Sequence, residues 1–456
     1  MIPLRLADVP ASVVMRGDPD ATVRGVSIDS RTAEPGDLFV AFGRGAEFVD
    51  EAVARGAVGA VVEEDAIEQV LASASAPNVL MTFSPLRCLQ FLGDANAGRS
   101  AAVRIGVTGS SGKTSTKDAI AHLVGGQRAV VAAASGHNNE LGYPLTLTLM
   151  DEGTEVVVCE LAMRGLGQIA ELCALASPDI GVITNIGTAH LELLGSREAI
   201  AQAKAEILHG LRDPGRAVIP FAEPLLDPHL PDGVAITTFG EEAGADVQLV
   251  DRRPGADGDE LAFLVRGDLL ELATNLRGRH HARNLAAALA VCDLLGLDLA
   301  EVAARAADIP QQAWRGEVVA LSGGVDVVND AYNANPASVD AALRLLAETP
   351  VEGRRIAVLG LMAELGPESE DLHREVGRLA ARSGVDIVLG VGEHARAYLD
   401  GVAGDADGRW AADPDGAAAL LAELVRPGDR VLVKGSRAAG LEVVPALLAA
   451  RLEARA

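Results

Sequence analysis

Lysine is nearly missing from this chain. Of its 39 basic residues, only Lys113, Lys117, Lys204 and Lys434 are lysines. Arginine carries a planar, permanently charged fork, whereas lysine is a compact point charge whose amine can lose its proton and be modified. A chain this biased toward arginine keeps lysine mainly where a guanidinium cannot substitute, which makes the survivors candidate functional residues. Lys113 closes a glycine loop, Lys204 follows a strand-end stretch, and Lys434 sits in Val433-Lys434-Gly435-Ser436-Arg437 after an apolar run. Lys117, on a polar face of the predicted helix after the loop, reads as an ordinary surface residue.

Other absences exclude whole classes. No apolar run approaches the roughly 20 residues that a membrane span requires. Met1-Ile2-Pro3-Leu4-Arg5 lacks the basic-then-apolar layout of a secretory signal, so a cytoplasmic location is expected. Cys88, Cys159, Cys173 and Cys292 are scattered without a C-x-x-C pair, which predicts buried free thiols rather than a zinc site or a disulfide framework. Positive charge is also in deficit. A net charge of −25 argues against a nucleic-acid-binding surface. It also repels phosphate-bearing substrates at long range, so any phosphate site must be built from local N–H groups, a few Arg or Lys side chains and metal ions.

What is present is a chain with 49% hydrophobic and 23% charged residues, the balance of a well-packed protein. Its 456 residues are too many for one ordinary core. Residues 21–62 alternate short strand-like runs, Val23–Ile28, Asp37–Ala41 and Val58–Val62, with a helical stretch at Glu47–Arg55. A helix at Leu86–Ala97 leads into an apolar strand over residues 101–107. Strands at Val156–Glu160, Ile180–Thr184 and Ala217–Pro220 then alternate with helices, the rhythm of a mostly parallel sheet covered on both faces. From Asp213 to Gly278 the pattern changes to turns around short strands, Ala235–Phe239, Asp246–Val250 and Leu261–Val265, which predicts an antiparallel appendage. The helix Asn284–Leu295 closes this unit, and a boundary is expected near Ile309–Trp314. Beyond it, Val325–Asn329, Ala337–Ala347, Arg355–Leu359, Leu372–Ser383, Asp386–Gly390 and Arg430–Val433 predict a second, smaller Rossmann-like sheet. The expected architecture is α/β in three domains, 1–100, 101–313 and 314–456: a small α/β domain, a central mostly parallel P-loop sheet, and a Rossmann-like domain.

The glycine loop Thr108-Gly109-Ser110-Ser111-Gly112-Lys113-Thr114 is the most specific local signal. A strand feeds a turn whose backbone N–H groups converge on phosphate oxygens at the start of a helix. Lys113 would reach the β- and γ-phosphates and the Thr114 hydroxyl would hold Mg²⁺. Val107 occupies the position six before Lys113, so the loop departs from G-x-x-x-x-G-K-[ST]. Glu160 ends a strand at the carboxyl edge where parallel sheets place ligands, and His190 ends Thr184-Asn185-Ile186-Gly187-Thr188-Ala189-His190 after the next strand.

The glycine loop, Glu160, the Thr184–His190 stretch and Lys204 in Ala201-Gln202-Ala203-Lys204-Ala205-Glu206 together resemble the Mur ligase family, ATP-dependent amide-forming enzymes of peptidoglycan assembly. The resemblance covers nearly the whole chain. Gly136-His137-Asn138-Asn139-Glu140-Leu141-Gly142-Tyr143-Pro144 and Asp330-Ala331-Tyr332-Asn333-Ala334-Asn335-Pro336 are similar to the branch that adds D-alanyl-D-alanine to UDP-N-acetylmuramoyl-tripeptide. The D-N-P-R motif typical of the branch that adds the third stem residue is not found in the chain.

The resemblance implies that Gly109, Ser110, Ser111, Gly112, Lys113, Thr114 and Ser115 bind the ATP phosphates. It implies two Mg²⁺ ions, one held by Thr114 and Glu160, the other by His190 and a carbamoylated Lys204. Lys113, His190 and Lys204 would carry the chemistry. Asn284 would sit on the adenine side, Arg315 at the γ-phosphate, and Asp330 and Asn335 on the nucleotide face of the last domain. Asp29, Ser30 and Arg31 resemble the segment that holds the UDP end, and Asn138, Asn139 and Thr184 are substrate-side candidates. Lys434-Gly435-Ser436-Arg437 matches a last-domain motif that is either structural or dipeptide-side. Two departures stand out. His281 replaces the first Asn of G-x-H-N-x-x-N, and Gly43-Arg44-Gly45-Ala46-Glu47-Phe48 stands where an Asp-Gly-His is usual. The implied reaction activates a tripeptide carboxylate as an acyl phosphate and transfers it to the dipeptide amine, with domain closure before chemistry. A monomer without nucleic-acid or membrane partners is expected. Another Mur-type amide ligase, adding the third residue or building polyglutamate, and a non-catalytic nucleotide-binding relative remain the alternatives.

Overall fold

Three sheets dominated by parallel pairing follow one another along the chain in this computed structural model, which describes residues 1–454 except 74, 256–257, 403 and 405. The last two positions of the third expected domain and two within the predicted appendage therefore lie outside the described residues.

The first sheet runs Val13–Arg16, Val79–Thr82, Gly59–Glu63, Asp37–Val40, Gly25–Ser27, all parallel except its Val13–Arg16 edge. The helix Pro85–Arg99 joins it to the next unit. Ser84 caps it by accepting from Arg87 N, and Pro85 occupies the first turn, where a missing N–H costs nothing. This helix lies so close to the helix Gly142–Thr148 that a Cβ on Gly93 would meet the Pro144 backbone at 2.8 Å. Buried Asn96 ties the units together, donating to the carbonyls of Leu147 and Met150 at 2.8 and 2.9 Å and accepting from Ile2 N at 3.0 Å.

The central sheet has nine strands. In order they are Asp268–Thr274, Asp259–Val265, Val247–Pro254, Ala235–Gly240, Arg216–Pro220, Ile180–Ile183, Val103–Thr108, Val156–Glu160 and Val130–Ala132. Strands covered on both faces need apolar residues at successive positions, and Val156 to Cys159 supply them, all buried. Ile105, Val107, Val156 and Val158 enter one core with the helices Lys113–Val124 and Arg279–Leu294. Val157 and Cys159 enter the other, with helices Gly142–Thr148, Gln168–Leu175 and Arg197–His209. The appendage is smaller than expected: Ala235–Gly240 continues the parallel sheet beside Arg216–Pro220, and only the strands from Val247 to Thr274 pair antiparallel. All four cysteines are buried free thiols, and desolvation pushes each up to about 12.

The third sheet is ordered Glu317–Leu321, Val325–Asp330, Arg430–Lys434, Arg355–Leu359, Ile387–Val391, Asp407–Ala411, with Glu317–Leu321 its antiparallel edge. Among the described residues no helix is long and apolar enough to cross a membrane.

Candidate active site

The carboxyl ends of the central strands and of the third sheet face a common cleft of about 1780 Å³. That is larger than a site for one small ligand. Lys113, Thr114, Glu160, His190, Asn284, Arg315, Asp330 and Asn335 all contribute to its lining.

The glycine loop lies at its floor. Gly109 has φ 149°, and a Cβ there would fall 1.8 Å from Thr184 Oγ1; Gly112 has φ 76° and caps the helix Lys113–Val124, with Asn284 Oδ1 2.5 Å from where its Cβ would be. Neither position can hold a larger residue without displacing a neighbour. The Thr184–Gly187 stretch braces the loop from the side. Thr184 Oγ1 donates to the Ser111 carbonyl at 2.5 Å, Asn185 Oδ1 accepts from Ser111 N at 3.0 Å, and Ser110 Oγ accepts from Gly187 N at 2.8 Å. Thr184 is thus committed to the loop in this state, and Asn185, which the motif reading had passed over as a site residue, holds it at two points. Ser115 also lines the cleft. Lys113 Nζ folds back onto the Gly109 carbonyl at 2.8 Å. Burial depresses its pKa, with Arg315 adding to the effect and Glu160 and Glu364 opposing it.

Thr114 Oγ1 donates to Glu160 Oε2 at 2.7 Å, and Asn138 Nδ2 donates to Glu160 Oε1 at 3.0 Å. A hydroxyl and a carboxylate are hard oxygen donors of the kind Mg²⁺ takes. Among the described residues no three His, Cys, Asp or Glu side chains gather as a metal cluster. Asn139 turns its side chain to the backbone, accepting from Leu141 N and Gly142 N at 3.2 and 2.9 Å.

From the bend before the third sheet, Arg315 Nη2 reaches Thr114 Oγ1 at 3.1 Å, leaving its buried Nε without a partner among the described residues. Asp330 Oδ2 pairs with Lys434 Nζ at 2.6 Å, and the same ammonium donates to the Asn333 carbonyl at 3.1 Å. Lys434 therefore cross-links the two last-domain motifs. Asn335 caps the helix Pro336–Glu348 in a reciprocal pair with Ser338. His281 Nδ1 is buried and unpartnered among the described residues, and burial lowers its pKa.

His190 has φ 65°, and its Nδ1 lies 2.6 Å from Glu364 Oε2 of the third unit. Lys204 lies behind the cleft wall, 1% exposed on the helix Arg197–His209, with no hydrogen-bond or ion-pair partner among the described residues. Desolvation pulls its pKa well below the usual lysine range, and Lys113 adds to that.

One expectation needs correction. Lys117 is not a surface residue. It is 3% exposed, with Nζ donating to the Ala133 carbonyl at 2.6 Å and pairing with Asp118 at 2.5 Å. It shares the buried stripe of Ile120 and Val124 at helical spacing. Asp29, Ser30 and Arg31 do not join the cleft. Arg31 bonds the Asp29 carboxylate and holds it down to about 2, while Ser30 Oγ donates to Glu51 Oε2 at 2.8 Å. From the first unit Leu86, Arg87, Gln90 and Phe91, on the helix Pro85–Arg99, line the cleft, along with Glu364 from the third; the motifs in the sequence point to none of these five.

A phosphate loop with a strand-end carboxylate beside it and an arginine reaching in from the third unit is the arrangement of an enzyme that transfers a nucleotide's phosphoryl group. Residues 107–292 match the Mur ligase middle domain and residues 314–437 the Mur ligase, glutamate ligase domain. The chain belongs to the Mur ligase family, whose members form amide bonds at the expense of ATP. It is 33% identical to a UDP-N-acetylmuramoyl-tripeptide--D-alanyl-D-alanine ligase of Bacillus subtilis, over 92% of each chain. It is 37% identical to the enzyme of that name from Mycobacterium tuberculosis, over 93% of this chain and 92% of the relative. Its fold superposes on a MurF ligase of Thermotoga maritima in complex with ADP with a TM-score of 0.81, at 31% identity and covering 95% and 99% of the two chains.

Proposed function

We propose that this protein joins the terminal carboxylate of UDP-N-acetylmuramoyl-tripeptide to the amine of D-alanyl-D-alanine at the expense of ATP. The observation that carries the reading is the Thr114–Glu160–Arg315 contact set beside Lys113, which focuses donors from two units on one point. The names of the relatives at 33% and 37% identity supply the substrate pair. In this reading the tripeptide carboxylate attacks the γ-phosphorus, forming an acyl phosphate and releasing ADP. The dipeptide amine then attacks the acyl carbon, the amine proton leaves, and inorganic phosphate departs.

Gly109 to Ser115 cradle the phosphates through backbone N–H groups. Lys113 leaves the Gly109 carbonyl for the transferred phosphoryl, and Arg315 stabilises the charge gathering on its oxygens. Thr114 and Glu160 would hold one Mg²⁺, and His190 with a carbamoylated Lys204 the second; the ions supply charge neutralisation on the phosphates. A buried amine at Lys204 with no partner among the described residues, its pKa pulled down by desolvation, supports the modification, because only the free amine adds CO₂. Asn284, Asp330 and Asn335 line the nucleotide side, Asn138, Asn139 and Thr184 the substrate side, with Asp29, Ser30 and Arg31 toward the UDP end in a more closed arrangement. The domains run 1–100, 101–313 and 314–456, and the protein acts as a cytoplasmic monomer.

The test is phosphate release from ATP and the UDP-tripeptide, with D-alanyl-D-alanine or single amino acids as acceptor. Release that depends on the dipeptide alone supports the reading. Release with glutamate or a single third-stem residue, or none with any acceptor, overturns it.

A further inference from the structure

Glu364 has no place in the roles above, yet it reaches the centre of the site. It belongs to the loop that follows the strand Arg355–Leu359, at the carboxyl edge of the third sheet. Its backbone is left-handed, φ 61°, a conformation that costs a side-chain-bearing residue about 1 kcal/mol or more. The surrounding structure enforces it at several points. His373 Nε2 accepts from Met362 N at 3.0 Å, Ser436 Oγ accepts from Ala363 N at 2.9 Å, Ser436 N donates to the Leu361 carbonyl at 2.8 Å, and Tyr398 OH donates to the Gly360 carbonyl at 2.8 Å. A strained residue held by four bonds to its loop is positioned rather than incidental.

The carboxylate so placed lies 2.6 Å from His190 Nδ1, and its charge acts on Lys113. It is 38% exposed and lines the cleft, and no Lys or Arg pairs with it among the described residues. A carboxylate beside the phosphate loop whose one ionic contact among the described residues is the His190 ring is repelled by the triphosphate and suits a cation. The reaction brings one: the acceptor dipeptide enters as an ammonium, and its nitrogen must come within about 3–3.5 Å of the acyl carbon formed beside Lys113.

We propose that Glu364 is the binding residue for the acceptor amine, its carboxylate receiving the ammonium end of the dipeptide where the acyl phosphate forms. This rests on the reading of the enzyme as a D-alanyl-D-alanine ligase. The last unit thereby delivers the second substrate to an intermediate built on the central one, and His190 occupies the carboxylate until the dipeptide arrives.

The experiment compares Glu364→Gln and Glu364→Asp with the wild type, varying ATP, UDP-tripeptide, Mg²⁺ and D-alanyl-D-alanine in turn. Loss of a charge-assisted bond predicts a dipeptide KM raised about ten- to a hundredfold in Glu364→Gln, partly restored in Glu364→Asp, with the KM values for ATP and UDP-tripeptide unchanged. A second arm needs no variant: N-propanoyl-D-alanine, the dipeptide without its amine, should inhibit the wild type at least about tenfold more weakly than the dipeptide binds, and Glu364→Gln should lose that discrimination. Equal binding of the two ligands to the wild type overturns the proposal. So does a raised Mg²⁺ requirement with an unchanged dipeptide KM, which would make Glu364 a metal ligand. Wild-type turnover with D-alanyl-D-alanine and unaltered variants sinks this proposal alone, whereas a wild type that does not use the dipeptide sinks the functional reading with it.

Discussion

Arg315 stacks its guanidinium carbon 3.8 Å above the Tyr332 ring while its Nη2 donates to Thr114 Oγ1 at 3.1 Å. The stack fixes the plane of the fork, so that the third unit presents a pre-oriented donor to the phosphate loop of the second. A lysine keeps the charge but neither the plane nor the paired donors. Arg315→Lys should therefore lose about 10²–10³ in kcat, the scale for an electrostatic group preorganised at a transition state, with an ATP KM little changed. Near-normal turnover in a folded Arg315→Lys variant would remove this residue from the phosphoryl site. Lys113→Ala, by the same reasoning, should lose at least about 10³ in rate.

Lys117 should behave as a structural residue. Its buried ammonium bridges the Ala133 carbonyl and the Asp118 carboxylate, whose pKa burial raises. Removing it strands both partners, so Lys117→Ala should destabilise by about 2–4 kcal/mol, read as a lower urea midpoint. The chain from Ala133 leads to Asn138 at Glu160, so kcat should fall as well. A midpoint within error of wild type would restore Lys117 to the unimportant role its sequence suggests.

That error shows what sequence reading can reach here. The phosphate loop was legible because strand, glycines and lysine are consecutive, and Glu160 because a run of buried valines ends on it. Lys117 was misread because charge was taken for exposure; it sits three residues before Ile120 and seven before Val124, on the buried stripe. The strands Glu317–Leu321, Asp268–Thr274 and Asp407–Ala411 escaped notice because each is an edge strand with solvent-exposed positions. Glu364 had only a weak local signal, a carboxylate between glycines after a parallel strand; its meaning comes from His190, far away in the chain. Asp29, Ser30 and Arg31 lie outside the cleft lining, where Arg31 bonds Asp29 and Ser30 bonds Glu51.

His373 makes the loop that carries Glu364 sensitive to pH. Its Nε2 accepts from Met362 N, so the ring proton sits on Nδ1, toward the Ser369 carbonyl at 2.6 Å. Protonating Nε2 breaks the first bond. Burial lowers the pKa in the fold, with the Ser369 carbonyl opposing. The unfolded chain, at about 6.5, therefore takes up the proton first as pH falls. The stability due to neutral His373 is complete above about pH 6.5 and declines below it, toward the lower folded value. Wild type should accordingly be more stable than His373→Gln at pH 8, and the gap in urea midpoints should narrow as pH falls below about 6.5. A gap that stays constant over that range would show that the ring's protonation does not matter to the loop.

Lys204 offers the sharpest test of the metal chemistry. A buried ammonium near Lys113, with no partner among the described residues, is electrostatically unfavourable unless its charge is removed or reversed. Desolvation already lowers the pKa, so the free amine persists to lower pH than in an ordinary lysine. That amine can attack CO₂, forming an N–C bond and shedding a proton, and the resulting carbamate is an oxygen ligand of the type Mg²⁺ takes. Protein equilibrated with ¹³C-bicarbonate should show a carbamate carbon resonance that Lys204→Arg abolishes. Lys204→Arg should be nearly inactive although charge and approximate length are kept, since a guanidinium does not form the carbamate. Lys204→Ala should recover partial activity when formate or acetate is supplied in place of the missing carboxylate. An active Lys204→Arg enzyme, or a ¹³C spectrum unchanged by that substitution, would leave the burial of this lysine to packing alone.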